Sequence, residues 1–149
     1  MKESLVADTA CLIALERIGR LNLLPELFES VVIPPEVARE FGSLAQGLSI
    51  QAPANTALLA SLKLLVDDGE AEAIALASEL KLRIILDDGQ ARFVAKQVGV
   101  STIGTIGLLL LAKKARLIPA LEPLIGDLER CGFFMTSALK QEALRLADE

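Results

Sequence analysis

Short aliphatic and β-branched runs alternate with helix-like segments along most of this chain of 149 residues. The strand-like runs are SLVAD (4–8), SVVIP (30–34), LRIILD (82–87) and VSTIG (100–104), and residues 43–53 suggest a loop with a short extended piece. Parallel strands need long crossover connections, so strands separated by helices predict an α/β fold with a mostly parallel sheet. In such sheets ligands bind beyond the carboxyl ends of the strands.

The length fits one domain, residues 1–149, and the 52% hydrophobic content with a mean hydropathy of +0.49 predicts a well-buried core. Glu3 and Asp8 interrupt the region where a signal peptide needs an apolar segment. The charge-free run 98–112 is too short to span a bilayer. We therefore expect a soluble cytoplasmic protein with no membrane partner.

Charge and composition exclude several kinds of chemistry. A net charge of −5 disfavours a protein that holds nucleic acid mainly by neutralising phosphates, although bound cations can still bring phosphates to an acidic site. The absence of His excludes Ser-His-Asp triads, Cys–His nucleophiles and His-ligated zinc. Cys11 and Cys131 lack CxxC spacing and are expected to be reduced.

Acidic residues stand at the positions that a parallel sheet would bring together. Asp8 ends the first strand, Glu40 lies on the helix after the second, Glu70 opens a later helix, and Asp87 and Asp88 end LRIILD. Carboxylates meeting at one edge repel one another unless a cation lies among them. Hard oxygen ligands without His or Cys suit Mg²⁺ or Mn²⁺, whose bound water can attack a phosphate.

Each of these acids also has an ordinary structural interpretation. Asp8, and Asp67 or Asp68, can be helix N-caps, and Glu70 can complement a helix dipole. Asp87 and Asp88 can form a turn with Gly89. The joint pattern, with carboxylates after both clear strands and on both intervening helices, favours a metal site.

Five blocks in order resemble a bacterial or archaeal branch of the PIN-domain nucleases, from Ser4 to about Ala147: LVADTACLIALERIGRLNLL, VVIPPEVAREF, GEAEAIALASEL, IILDDGQARFVAKQVG and GTIGLLLLAKKARLI. The resemblance implies an α/β three-layer sandwich with a central, mostly parallel sheet of four or five strands. It also implies a Mg²⁺- or Mn²⁺-dependent endoribonuclease that hydrolyses RNA by in-line attack of water. Many relatives are the toxin of a toxin–antitoxin pair, so a protein antitoxin is an expected partner. The apolar segment IGLLLLA (106–112) is more often core than interface, but a helix this apolar can also supply a homodimer surface, so a homodimer is expected as well.

The resemblance carries the family's acidic positions onto this chain. The first acid corresponds to Asp8, with Thr9 at the accompanying hydroxyl position. The second matches Glu40 better than Glu36. The third corresponds to Glu70, where many relatives carry Asp.

The fourth acid lies in the LDD segment, where spacing favours Asp88 as the metal ligand and Asp87 as its support. A one-residue difference in where the strand ends would exchange the two, so their order stays open. Arg92 and Lys96 lie one helical turn apart after this segment and are predicted to bind the substrate.

Three other functions fit the sequence less well. A non-catalytic PIN-like subunit that binds nucleic acid or acts as a scaffold should have lost some of its acids, and this chain keeps all four positions. A haloacid-dehalogenase-type phosphohydrolase needs a second Asp two residues after Asp8, where Ala10 stands. A phosphoacceptor receiver domain would need an Asp and a Lys at strand ends that do not fit this order.

Overall fold

The computed structural model describes residues 2–42 and 47–149. These residues contain a five-stranded sheet in the order β3-β2-β1-β4-β5, in which each neighbouring pair is parallel. The predicted α/β class with a mostly parallel sheet of four or five strands is therefore confirmed. The strands are β1 (Leu5–Ala7), β2 (Val31–Ile33), β3 (Leu48–Ile50), β4 (Arg83–Ile85) and β5 (Thr102–Ile103).

Helices connect the strands and follow the last one. They are α1 (Thr9–Arg17), α2 (Leu23–Leu27), α3 (Pro35–Phe41), α4 (Thr56–Lys63), α5 (Asp68–Leu80), α6 (Gly89–Gln97), α7 (Thr105–Lys114), α8 (Glu122–Arg130) and α9 (Ser137–Leu146). None of the helices in the described ranges is long and apolar enough to cross a membrane. Cys11 is buried, Cys131 is half-buried, and both are free thiols.

Strand burial explains which strands the sequence predicts clearly. Every residue of β1 and β2 is buried, because helices cover both faces of the sheet, and such strands consist of continuous apolar residues. The edge strand β3 is largely exposed, so its sequence signal is weak. The expected loop and short extended piece at 43–53 corresponds to β3 from Leu48, while residues 43–46 of that prediction lie outside the described residues.

The strand order changes direction between β1 and β4. From β1 the chain moves outward through β2 to β3, and then crosses to β4 and β5 on the other side. Right-handed crossovers place the two sets of connecting helices on opposite faces, so a crevice opens at the carboxyl ends of β1 and β4. Ala7 pairs with Ile85 there, and the Asp8 N–H donates to the Ile85 carbonyl at 3.2 Å.

The side chain of Glu149 links α7 to the start of α8. The Glu149 carboxylate accepts hydrogen bonds from Lys113 Nζ at 2.8 Å, from the Leu121 N–H at 2.7 Å and from the Glu122 N–H at 3.0 Å. It thereby satisfies free N–H groups at the start of α8 and pairs with a cation on α7. Burial works against this anion, but the bonds from Lys113, Leu121 and Glu122 prevail and lower the pKa of Glu149 to about 2.

Candidate active site at the carboxyl ends of β1 and β4

Asp8 follows β1 directly and is the most buried acid of the site, with 6% of its surface exposed. It occupies the N-cap position of α1, but its side chain makes no capping hydrogen bond. Burial raises the pKa of Asp8 to about 6; a backbone hydrogen bond at Thr9 opposes this shift, and the carboxylates of Asp67, Glu40 and Asp87 add to it. A carboxylate kept out of water, not capping its helix and facing other carboxylates, is suited to receive a cation.

Glu70 lies in the first turn of α5 and forms a capping box with Asp67. The Glu70 N–H donates to Asp67 Oδ1 at 2.8 Å, and the Asp67 N–H donates to Glu70 Oε1 at 3.3 Å. Asp67, one of the two residues predicted as N-caps, is therefore confirmed as the cap. Burial and then the Asp67 carboxylate raise the pKa of Glu70 to about 7, with Asp8 and Asp88 contributing in the same direction. Glu70 thus belongs to the same electrostatic cluster as Asp8.

Glu40 reaches the cluster from α3, which packs against α5. Its carboxylate accepts a hydrogen bond from the Thr9 hydroxyl at 2.8 Å. The carboxylate also lies against Gly69, where an added Cβ would overlap it. Glu36, one turn earlier on α3, forms an ion pair with Arg39 instead. The structure therefore brings Thr9 and Glu40 together at the end of β1.

Asp87 and Asp88 have different partners at the end of β4. Asp87 accepts hydrogen bonds from the Thr105 N–H at 2.8 Å and the Thr105 hydroxyl at 2.5 Å. Asp88 is the N-cap of α6 and accepts from the Ala91 N–H at 2.9 Å. The tandem acids thus join β4 to two helices at once. The charge of Asp87 raises the pKa of Asp8, and the charge of Asp88 raises the pKa of Glu70.

The two predicted substrate-binding cations differ in exposure. Arg92 is half-buried, and its Nη1 donates to the Leu86 carbonyl at 2.9 Å. Lys96, one turn later on α6, is exposed. A cavity of about 470 Å³ begins at Asp87 and Arg92 and continues along apolar residues of α7 and α9. Its lining includes none of the four predicted metal ligands, which are Asp8, Glu40, Glu70 and Asp88.

The donors at this site suit a hard divalent cation, because they are carboxylate and hydroxyl oxygens. In residues 2–42 and 47–149, no three carboxylates or thiols are close enough to hold a metal ion as they now stand. One carboxylate oxygen of Glu40 accepts from Thr9 and one of Glu70 accepts from Asp67, so the second oxygen of each can take a cation.

Sequence reasoning did not assign a role at the site to Asp67, Gly69, Gly104 or Thr105. The sequence indicates Asp67 only as a helix cap, although its charge raises the pKa values of both Asp8 and Glu70. Thr105 had a usable signal, because it directly follows a strand-like run and so lies at the same sheet edge as the acids. The two glycines act by leaving space, which a single sequence does not reveal.

The strand order and the acids define a class of protein: a parallel α/β domain whose carboxylates gather where the strand order reverses. The sequence model of the PIN domain matches residues 4–149, so this chain belongs to the PIN-domain family. The predicted family is thereby confirmed, and PIN domains are generally nucleases. The comparison with curated proteins found no match.

Proposed function

We propose that this protein is a Mg²⁺- or Mn²⁺-dependent endoribonuclease that hydrolyses RNA phosphodiester bonds, and that it is the toxin of a toxin–antitoxin pair. The observation that carries the proposal is the buried Asp8 carboxylate, whose pKa is raised to about 6 by burial and by three neighbouring carboxylates. Such an arrangement costs stability unless a cation compensates it, and this cost is typical of a functional site.

A divalent cation bound at this site would activate water and offset negative charge on a phosphate. Asp8, Glu40, Glu70 and Asp88 are the residues that would hold it, and Asp87 would support them. The Thr9 hydroxyl orients Glu40 by its hydrogen bond of 2.8 Å. A protein nucleophile is unnecessary for this hydrolysis, which agrees with the absence of His.

The substrate must be held by few positive charges, because the chain carries a net charge of −5. Lys96 is exposed in the last turn of α6, the helix that Asp88 caps, and would meet a phosphate of a strand that extends beyond the acids. Asp8, Glu40, Glu70 and Asp88 lie outside the lining of the cavity of about 470 Å³, an arrangement that favours an extended strand over an enclosed small molecule.

The decisive experiment measures Mn²⁺-dependent cleavage of a mixed RNA pool by the wild type, Asp8→Asn and Asp68→Asn. Removing the buried ligand should lower the rate about a thousandfold, because a cation contributes several kcal/mol to such reactions. Asp68→Asn is the matched control, since Asp68 is exposed on the same helix as Glu70. Equal cleavage by wild type and Asp8→Asn, or none by the wild type free of any antitoxin, would contradict the proposal.

Replacing Lys96 by Ala tests how the RNA is held. One lost phosphate contact should reduce the salt dependence of log KM by about 0.7 in slope for a single strand. Lys114→Ala, at the far end of α7, is the control and should leave that slope unchanged. If both variants behave alike, α6 does not hold the substrate.

The proposed toxin would bind a protein antitoxin, form a homodimer and act in the cytoplasm. Expression that arrests growth, with relief by Asp8→Asn and by a neighbouring small gene, would support the toxin role. RNA binding without cleavage would instead identify a non-catalytic PIN-like subunit.

A further inference from the structure

We infer that Thr105 is a positioning residue of the candidate site, which acts by fixing Asp87 and, with it, the segment 86–88 that carries Asp88. The inference rests on the proposed function, because it assumes that Asp88 helps to hold a cation. No sequence pattern assigned this role to Thr105, whose importance emerges from its contacts and burial.

Thr105 occupies both oxygens of the Asp87 carboxylate. Its backbone N–H donates to Oδ1 at 2.8 Å and its hydroxyl donates to Oδ2 at 2.5 Å. Two bonds from one residue fix the carboxylate in a single orientation. Among the described residues, Asp8 and Thr105 are the two buried polar side chains, and both lie at this site. A buried hydroxyl needs a partner, and Asp87 is the partner that Thr105 has.

The segment between β4 and α6 is held at three successive residues. Arg92 donates to the Leu86 carbonyl, Thr105 holds the Asp87 side chain, and Asp88 accepts from the start of α6. Because Asp87 and Asp88 are adjacent, loosening the Thr105 bonds frees the backbone that directs Asp88. Thr105 is the anchor that lies on a different helix, so it ties this segment to the rest of the fold.

The absence of a side chain at Gly104 allows Thr105 to approach Asp87 closely. A Cβ at Gly104 would lie 3.0 Å from Asp87 Oδ1 and 3.2 Å from Arg92 Nη1, closer than ordinary contacts. α7, the helix that Thr105 begins, also packs against α1, which starts directly after Asp8. α7 therefore lies against the segments that follow β1 and β4, the two strands whose acids form the site.

The test compares Thr105→Val with Thr105→Ser. Valine keeps the volume but removes the hydroxyl, whereas serine keeps it. Binding of Mn²⁺ to the RNA-free protein is measured by calorimetric titration, with cleavage recorded in parallel. Loss of an outer support of metal ligands lowers metal affinity about 10- to 100-fold, so Thr105→Val should show that loss and Thr105→Ser should not. Thr102→Val, which removes a hydroxyl from nearby β5, is the matched control and should bind like the wild type.

Each outcome decides between positioning and a purely structural role. A folded Thr105→Val protein with wild-type Mn²⁺ affinity would overturn the inference, as would an equal loss in Thr105→Ser. If Thr105→Val does not fold, Gly104→Ala crowds the same carboxylate from an extended backbone that Ala tolerates, and it should weaken Mn²⁺ binding similarly. Wild-type affinity in folded Gly104→Ala would also overturn the inference. A wild type that binds Mn²⁺ but cleaves no RNA would refute the proposed function alone, since the titration needs no RNA.

Discussion

Two regions of this molecule use the same functional group in opposite ways. At the C-terminal end, the Glu149 carboxylate meets Lys113 and two backbone N–H groups, and these partners hold its pKa near 2. At the ends of β1 and β4, the carboxylates of Asp8 and Glu70 meet other carboxylates and little water, and burial first of all raises their pKa values to about 6 and 7.

The difference teaches how to separate a structural acid from a functional one. The Glu149 carboxylate is complete as it stands, because its oxygens accept from a cation and from the start of α8. The acidic cluster has donors such as Thr9 and Thr105 but no cation bonded to Asp8 among the described side chains. Its charge is uncompensated by the described residues, so this region should become more stable when a charge is removed or a cation is added.

Asp8→Asn should therefore raise stability while it removes activity. Keeping Asp8 ionised in the folded state at neutral pH costs about 1–3 kcal/mol, since its pKa is raised from 3.8 to about 6. We expect the free energy of unfolding in EDTA to increase by about that amount, as measured in urea. In excess Mn²⁺ the wild type should instead be more stable than Asp8→Asn, because only the wild type binds the cation. A variant less stable than wild type in EDTA would show that Asp8 is a structural acid.

The pH dependence of stability should have opposite signs in the two regions. The raised pKa values of Asp8 and Glu70 give stability that is full below about pH 4 and is lost as pH rises to about 6 and 7. The lowered pKa of Glu149 gives stability that is full above pH 4.5 and is lost as pH falls toward 2. The cation-free protein should thus be most stable near pH 4–5 by thermal unfolding. Stability that rises steadily to pH 8 in EDTA would contradict the assignment.

Glu149→Gln should destabilise the fold and leave the chemistry intact. Hydrogen bonds to a charged group contribute about 1.5–3 kcal/mol, and Gln can replace these acceptors only in part, so a loss of about 2 kcal/mol is expected in urea. The rate of RNA cleavage below the unfolding transition should not change. Glu142→Gln, which breaks an exposed ion pair with Arg145 on α9, is the control and should unfold like the wild type. A fall in cleavage by folded Glu149→Gln would mean that the two regions are coupled.

The fold was largely predictable from the sequence because its buried strands are continuous apolar runs. Residues 31–33 and 84–86 are almost fully buried, and no other element suits such runs between helices. The edge strand β3 was seen only as an extended piece, since its exposed residues lack that pattern. The apolar segment TIGLLLLAKKARLI predicts a helix from Thr105 to Ile118, but α7 ends at Lys114. Two residues later Arg116 takes a left-handed φ of 62°, which periodicity does not reveal.

The site was predictable as a set of acids but not as a set of contacts. Strand ends placed Asp8, Asp87 and Asp88 at one edge, because topology alone decides that position. Asp87 differs from Asp88 because it accepts hydrogen bonds from Thr105. Thr105 begins a helix that starts 17 residues after Asp88. Such partners depend on side-chain directions in three dimensions, which spacing along the chain does not determine.

Gly69→Ala is the subtlest change that separates the two kinds of acid. Ala is a better helix former than Gly by about 1 kcal/mol, so propensity alone would stabilise α5. The new Cβ, however, would overlap the Glu40 carboxylate, which must then leave its place beside Thr9. Glu40 is exposed and can move, so we expect little change in the urea midpoint but roughly a tenfold loss of Mn²⁺ affinity, the lower end for a disturbed ligand support. Gly126→Ala on α8, where a Cβ would meet only the flexible end of Arg130, is the matched control and should show the propensity gain alone. Equal Mn²⁺ affinity in the two variants would show that Glu40 is not a metal ligand. The uncompensated charge of the site would then come from Asp8, Glu70 and Asp88.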